Sequence, residues 1–304
     1  MRGVETSLPR LRGLAVSLRT FRGIAVANAV MLVVIVATGA TVRLTASGLG
    51  CRHWPGCQPG DPLPEKGYHS YIEFSNRLVA AVTIFVTLGT YLAARLTPGL
   101  STTVRRLALA TFLGTLAQAP LGAITVYYDL NPYLVLSHFL LSLAIIALGV
   151  LLVVLAFGVR GEALPRGLRL LAVLVAVACG VLVVTGTLAT AGGPHPGSID
   201  VRRLATFGSF GKAVYWHVRA TAVFGLSLAA LLVWLAWLAW RRSALLRFGL
   251  PVLGVLAVQM IVGEVQYRTE LPWWLVLCHV TLAAVLWATT TAFVVALWRP
   301  SRMG

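Results

Sequence analysis

Long apolar runs recur along the whole chain, and short charged or turn-forming stretches separate them. A run of about 20 apolar residues is long enough to cross a bilayer core of ~30 Å as a helix. The runs predict spans near residues 24–44, 71–94, 106–126, 133–157, 170–190, 213–239, 247–267 and 273–297. We therefore expect an all-α membrane protein with eight transmembrane helices.

The composition excludes a soluble enzyme built around one buried core. Of the 304 residues, 58% are hydrophobic and 11% are charged, whereas about 25% of the residues of a soluble domain are charged. The mean hydropathy of +0.85 agrees with a chain that lies mostly in lipid.

The net charge of +16 is a signal of membrane topology. With eight spans, one set of loops together with both termini carries 16 Lys and Arg residues against two acidic residues. Such an excess marks the cytoplasmic side. We therefore predict that both termini are cytoplasmic, that residues 1–23 form a basic cytoplasmic tail, and that the charge does not indicate nucleic-acid binding.

Polar residues of the first half return 141 positions later in the second half. The matching pairs are Gln118 and Gln259, Gly122 and Gly263, and His138 and His279, and His217 stands at the position of Asn76. A repeat whose halves begin on the same side of the membrane indicates two similar units. We predict two pseudo-repeated four-helix bundles, residues 24–157 and 158–304.

Two histidines of the second half form a candidate heme site. Spans 2, 4, 6 and 8 run from outside to inside, so His217 and His279 lie at one level in the outer leaflet. Imidazole is a common axial ligand of heme iron, and helix bundles host such sites. Arg219 could meet a heme propionate. A structural histidine and an arginine that reaches lipid headgroups are the alternatives.

The first half has one imidazole where the second has two. His138 is a strong iron ligand, whereas Asn76 is not, and an incompletely ligated iron can take up oxygen or be a substrate. Glu73, one turn from Asn76, is placed for proton handling. Arg77 shares its helix face, so a local ion pair near the membrane surface is the alternative.

The longest outer loop contains Cys51 and Cys57, separated by a segment with Pro and Gly. A turn can bring them within disulfide range, and an oxidising outer compartment favours the bond. A structural cross-link, a redox-active pair and a zinc site completed by His53 and His69 are the three interpretations. In the outer loop between spans 5 and 6, we expect His195 to be exposed and flexible.

Several motifs together resemble those of the heme A synthase family, over all eight spans. They are Thr38-Gly39 with Val42 to Thr45, Ser47 to Cys51 with Trp54-Pro55 and Cys57, Ile72-Glu73 with Arg77, Gln118 through His138, Gly193 to His195, and Gln259 through His279. Many members of the family carry His where this chain has Asn76. Cys51 and Cys57 match the family's outer-loop cysteine pair.

The resemblance implies an activity that periodicity does not reveal. The family oxidises the C8 methyl group of heme O to a formyl group by successive hydroxylations, which gives heme A for cytochrome oxidase. It implies that His217 and His279 hold heme b, that His138 ligates the substrate heme in a pocket with Asn76, and that Glu73 is the catalytic carboxylate. Arg77 and Arg219 are then expected to bind heme.

The resemblance also implies a multi-pass protein of the bacterial plasma membrane. The expected partners are heme O, molecular oxygen or water, a membrane electron donor, heme O synthase, cytochrome oxidase assembly factors and the lipid bilayer. A b-type cytochrome that only transfers electrons is the alternative function. A heme transporter is disfavoured, because it needs a continuous polar pathway and the inner halves of spans 2, 4, 6 and 8 show none.

Overall fold

The computed structural model describes residues 15–61, 63–64, 66–159, 164–198, 201, 203–204, 208–238 and 245–298. These residues form eight helices: α1 (Leu18–Leu44), α2 (Tyr68–Leu96), α3 (Thr102–Tyr127), α4 (Pro132–Ala156), α5 (Arg166–Gly192), α6 (Phe210–Leu238), α7 (Leu246–Arg268) and α8 (Trp273–Trp298). Each helix coincides with one predicted span, so the eight-helix fold is confirmed.

All eight helices are long and apolar enough to cross a membrane. Many of their large apolar side chains are exposed, among them Val30, Phe85 and Leu226, as expected where lipid is the solvent. The protein is therefore a multi-pass membrane protein. The location of the termini on the cytoplasmic side remains a prediction, and most of the predicted tail lies outside the described residues.

Helix α1 begins earlier than the apolar run indicated, at Leu18 and not at residue 24. Ser17 is its N-cap, and the Ser17 hydroxyl accepts a hydrogen bond from the backbone N–H of Thr20 at 3.1 Å. An N-cap of this kind satisfies a backbone donor that the first turn leaves free. The cap therefore extends the helix into the basic segment, where Arg22 donates to the carbonyl of Ala156 at 3.0 Å.

The helices are arranged as two rings of four. Helices α1 to α4 pack in the order α1–α2–α3–α4 with α1 closing on α4, and α5 to α8 pack in the same order with α5 closing on α8. The rings meet where α1 and α4 pack against α8. Across this boundary the indole N–H of Trp287 donates to the carbonyl of Leu143 at 2.8 Å.

The turns between the last two helices of each ring have the same conformation. Asp129 and Leu130 have positive φ values of 48° and 55°, and Glu270 and Leu271 have values of 61° and 60°. Consecutive non-glycine residues rarely adopt this region. The same kind of backbone hydrogen bond closes both turns: the N–H of Leu130 donates to the carbonyl of Thr125, and the N–H of Leu271 donates to the carbonyl of Gln266. These features support the predicted repeat.

The outer loops also join the two rings. The Arg43 guanidinium donates to the carbonyls of His195 and Thr190, at 2.9 and 3.0 Å. Our expectation that His195 is exposed and flexible is wrong: the residue is half-buried, and its Nε2 lies 2.8 Å from the carbonyl oxygen of Leu271. The loop is held because its His195 carbonyl accepts from the half-buried Arg43 guanidinium, whose donors need partners there.

Candidate functional site

The second ring brings its two histidines close together, edge to face. His217 of α6 and His279 of α8 have ring centres 6.2 Å apart, with the ring planes at 75°. Two imidazoles bound on opposite sides of one metal, each at a metal–nitrogen distance of about 2 Å, would have ring centres roughly 6 Å apart. The spacing therefore fits an axially ligated iron.

Glycines of the neighbouring helices make room for the imidazole groups of both histidines. A Cβ atom at Gly186 of α5 would lie 2.8 Å from Cε1 of His217, and one at Gly263 of α7 would lie 3.0 Å from Cε1 of His279. Because real Cβ contacts are almost never this short, a larger residue would displace either ring. Each imidazole is thus placed by a helix backbone that packs directly against it.

Glutamine side chains anchor the helices that carry two of the histidines. The Gln259 amide donates to the carbonyl of His279 at 3.0 Å, and the Gln118 amide donates to the carbonyl of His138 at 3.0 Å. Gln118 also donates to the Ser142 hydroxyl at 2.7 Å. The two halves therefore hold His138 and His279 by the same device.

The first ring places His138 and Asn76 as the second ring places its histidines. A Cβ atom at Gly122 would lie 3.5 Å from Cε1 of His138, and one at Gly39 would lie 4.0 Å from Oδ1 of Asn76. The Asn76 Oδ1 accepts a hydrogen bond from the Thr38 hydroxyl at 2.8 Å. The buried Nδ1 atom of His138 has no hydrogen-bond partner among the described residues.

Glu73 is almost fully buried, with 4% of its surface exposed. Its Oε2 accepts the backbone N–H of Cys51 at 2.7 Å, and its Oε1 accepts from Arg77 Nη2 at 2.6 Å. A buried carboxylate needs both a counter-ion and hydrogen bonds, and Glu73 has both. The carboxylate therefore links the first turns of α2 to the outer loop.

Arg77 is engaged mainly by the outer loop. Its guanidinium donates to the carbonyls of Cys51, His53 and Gly56, each at 2.7 Å. A planar guanidinium has five donors in a fixed fork and can serve these three carbonyls and the Glu73 carboxylate together, whereas a lysine has only three donors. Arg77 thus fixes the loop over the outer end of α2, and its expected contact with heme remains a prediction.

Cys51 and Cys57 are joined by a disulfide bond. The loop that contains them packs tightly on α2, because a Cβ atom at Gly50 would lie 2.5 Å from the carbonyl oxygen of His69. The Ser70 hydroxyl also donates to the Gly50 carbonyl at 2.8 Å. The bond agrees with the structural interpretation, and a redox role for the pair is not tested by this geometry.

Arg219 lies on the outer surface of α6. The residue is exposed, its guanidinium carbon lies 3.1 Å from the ring centre of Tyr215, and its Nη1 is 3.4 Å from the Tyr215 carbonyl. Stacking on the ring leaves the donor edge of the guanidinium free for an anion. Its predicted role at a propionate is compatible with this position but untested.

Sequence reasoning missed the threonines that contact two of these side chains. Thr38 of α1 bonds to Asn76, and Thr185 of α5 lies at the same point, with its hydroxyl 3.4 Å from His217 Nδ1. Each precedes the glycine that packs on the site residue. The Thr-Gly pairs are 147 residues apart, so a comparison at a fixed offset of 141 does not align them.

Known proteins resemble parts of this chain. The profile of a family described as cytochrome oxidase assembly protein, COX15-CtaA, matches residues 22–66 and 62–194. A heme A synthase of Bacillus pumilus (strain SAFR-032) is 37% identical over 132 residues, which are 42% of each chain. One of Staphylococcus epidermidis (strain ATCC 12228 / FDA PCI 1200) is 30% identical over 167 residues, 52% of this chain and 55% of that protein. The chain spans about half the length of the curated relatives that it matches.

Proposed function

The chain belongs to the COX15-CtaA family of cytochrome oxidase assembly proteins, and from this premise we propose that it oxidises the C8 methyl group of heme O to a formyl group, giving heme A. The observation that carries the proposal is the pair of imidazoles 6.2 Å apart in one ring, beside a ring of the same plan with one imidazole. A complete ligand pair suits a resident heme, and an incomplete one suits a heme that is exchanged.

The second ring would hold heme b through His217 and His279. Gly186 and Gly263 pack against the imidazoles of His217 and His279 and set their positions. Gln259 fixes the backbone of His279. Arg219, at the outer surface, is available to a propionate. When bound, heme b would supply a redox centre that passes electrons from the membrane donor toward the substrate pocket.

The first ring would receive heme O as substrate. His138 offers its imidazole to the substrate iron, and Asn76, fixed by Thr38, is a weak ligand or a hydrogen-bonding group. Each hydroxylation with molecular oxygen takes up electrons and protons, and the Glu73 carboxyl group, whose two oxygens bond to Cys51 and Arg77, would take part in the proton transfer. Arg77 holds that carboxylate in place and keeps the loop closed above it.

The remaining partners follow from the proposed chemistry. Oxygen would come from molecular oxygen or water, and a membrane electron donor would complete each cycle. Heme O synthase would supply the substrate, and cytochrome oxidase assembly factors would receive the product. All of these partners meet the protein within or beside the bilayer.

The test is conversion of heme O by the purified protein in lipid, with extracted pigments identified by mass. Glu73→Gln removes the charge while keeping the size of the side chain, so we expect it to retain resident heme but to form no heme A. The matched control is Glu264→Gln, an exposed glutamate of α7 that also pairs with an arginine four residues on. Unchanged heme A formation by the Glu73 variant would remove this residue from the reaction.

A b-type cytochrome is the second candidate, because both oxygens of Glu73 are engaged by the loop and by Arg77. On that reading the carboxylate is structural and the histidine pair only transfers electrons. The same experiment separates the two functions. A protein that keeps a reducible heme and never yields a formyl product, in wild type as in variants, would be an electron carrier.

A further inference from the structure

The interiors of the two rings have the same buried positions but different side chains. Helices α2 and α3 align with α6 and α7 at an offset of 141, and α1 aligns with α5 at 147, where Phe21 and Leu168 are both fully buried. Six buried positions are polar in the first ring and apolar in the second. The pairs are Asn28 and Val175, Thr83 and Phe224, Thr87 and Leu228, Thr90 and Leu231, Thr111 and Val252, and Thr115 and Leu256.

The threonines satisfy their donors within their own helices. The hydroxyls of Thr83, Thr87 and Thr90 donate to backbone carbonyls three or four residues earlier, at 2.7 to 2.9 Å. Each hydroxyl oxygen keeps acceptor capacity. Threonine is also smaller than the Phe or Leu at the matching positions, so these substitutions leave more room inside the first ring.

The burial of the Asn28 side chain is a second, independent observation that indicates a bound ligand. Its exposed fraction is 0%, and neither its amide nitrogen nor its amide oxygen has a hydrogen-bond partner in the part of the chain that the structure describes. The side chain points toward α4, because a Cβ atom at Gly149 would lie 3.5 Å from its Nδ2. A buried amide without partners is costly, and internal water is the usual explanation.

The polar region is closed at its inner end and continuous with the site at its outer end. Toward the inner end, Phe21, Ala94 and Leu152 belong to a buried apolar cluster. Toward the outer end, Thr115 is three residues, or about 4.5 Å along the helix, from Gln118. The Gln118 Oε1 atom is buried and has no partner within the described ranges, and the Gln118 Nε2 atom donates to the His138 carbonyl.

We propose that the first ring binds internal water molecules between Asn28 and Gln118, and that these waters exchange protons with the pocket at His138. Water needs two to four polar partners, and the Asn28 amide supplies a donor and an acceptor in a ring whose buried threonine oxygens keep acceptor capacity. The second ring has Val175, Leu228 and Leu256 at these positions, so it offers no matching water site there, although Gln259 and Thr290 have buried oxygens elsewhere in it. The water site stands independently of the reaction proposed above.

The direct test is a cryo-EM map of the protein in lipid at a resolution that shows ordered water. We expect density within hydrogen-bond distance of the Asn28 amide and of the threonine oxygens, and none around Val175. A map that shows water elsewhere but none at Asn28, or an Asn28 amide bonded directly to a protein group, would overturn the proposal.

A second test uses hydroxyl-radical labelling by X-ray radiolysis of water, followed by mass spectrometry. Bound water labels adjacent buried side chains, so we expect label in the α2 peptide that contains Thr83 to Thr90. The α6 peptide with Phe224 should remain unlabelled, although an aromatic ring is intrinsically more reactive. Equal labelling of the two peptides, or no label in α2, contradicts the proposal.

The variant Asn28→Val replaces the asparagine with the residue type found at the matching position of the second ring, Val175. We expect the α2 label to fall several-fold, whereas Thr289→Val, at a half-buried threonine of α8 that bonds to its own helix, should leave it unchanged. Unchanged label in the Asn28 variant would show that the amide does not hold the water. Failure to convert heme O would affect neither the map nor the labelling.

Discussion

At the scale of residues, one position decides which ring has a pair of imidazoles. His217 and Asn76 occupy matching places, and each is contacted by a Thr-Gly pair on the preceding helix. At this position the rings therefore differ by one side chain within a shared setting. At this scale the sequence was informative, because histidines are rare enough for matches at one offset to stand out.

We expect His217→Ala and His279→Ala each to abolish the spectrum of a six-coordinate low-spin heme. Each change removes one of the two imidazoles whose spacing fits an axial pair. The measurement is the absorbance of the reduced protein. His195→Ala is the control, since that imidazole bonds to a loop carbonyl, and a preserved spectrum in either site variant would contradict the assignment.

Gly186→Ala tests the close packing around His217. Its Cβ atom would lie 2.8 Å from Cε1 of the ring, and overpacking of this kind costs typically about 1–3 kcal/mol. We expect a lower unfolding temperature and a shifted heme spectrum.

Gly39→Ala is the matched control in the first ring, where the nearest atom would be 4.0 Å away. Alanine favours a helix by about 1 kcal/mol over glycine, so that variant should be as stable as wild type or slightly more so. Equal behaviour of the two variants would show that the close approach at Gly186 has no consequence.

At the scale of elements, the outer loop and the first turns of α2 act as one unit. This unit is held together by the hydrogen bonds of Glu73 and Arg77 and by the disulfide bond. The sequence indicated an ion pair between Glu73 and Arg77, and it indicated the cysteine pair separately. It could not show that Arg77 serves the loop carbonyls, because those contacts depend on the path of an irregular segment.

Arg77→Lys should loosen this loop. A lysine cannot serve three carbonyls and a carboxylate together, and a weakened buried ion pair costs up to about 3–5 kcal/mol. We expect faster trypsin cleavage after the exposed Arg52, measured by mass spectrometry.

Arg268→Lys is the control, since that arginine pairs with Glu264 on the surface, where the side chains are 76% and 60% exposed. Surface pairs contribute little, so cleavage after Arg52 should not change. Equal cleavage rates in all three proteins would mean that Arg77 does not hold the loop.

For the whole molecule, the helices were predictable because apolar runs of this length have one outcome in a membrane. The start of α1 was not predictable from the apolar run, because the Ser17 cap lets the helix begin before that run. The polar interior of the first ring was also missed. The repeat was recognised from residues that are identical in both halves. Thr83 and Phe224 occupy matching positions but differ, so they gave no signal. The inner half of α2 therefore has buried polar groups, although an apolar cluster closes the ring beyond them.

Asn76→His tests whether the two rings differ in function through this one position. The new imidazole would face the setting that His217 has in the second ring, with Thr38 and Gly39 beside it. We expect more six-coordinate low-spin heme in the first ring and slower turnover of heme O. Magnetic circular dichroism measures the first effect, and an unchanged spectrum would place Asn76 away from the iron.

The bonds of Arg43 and Trp287 between the rings have a further consequence. One joins the rings at the predicted outer end and the other joins α8 to α4, so separating the rings would break both contacts. If the first ring receives a bulky heme as proposed, we expect the pigment to enter between lipid-facing helices and not through the boundary between the rings.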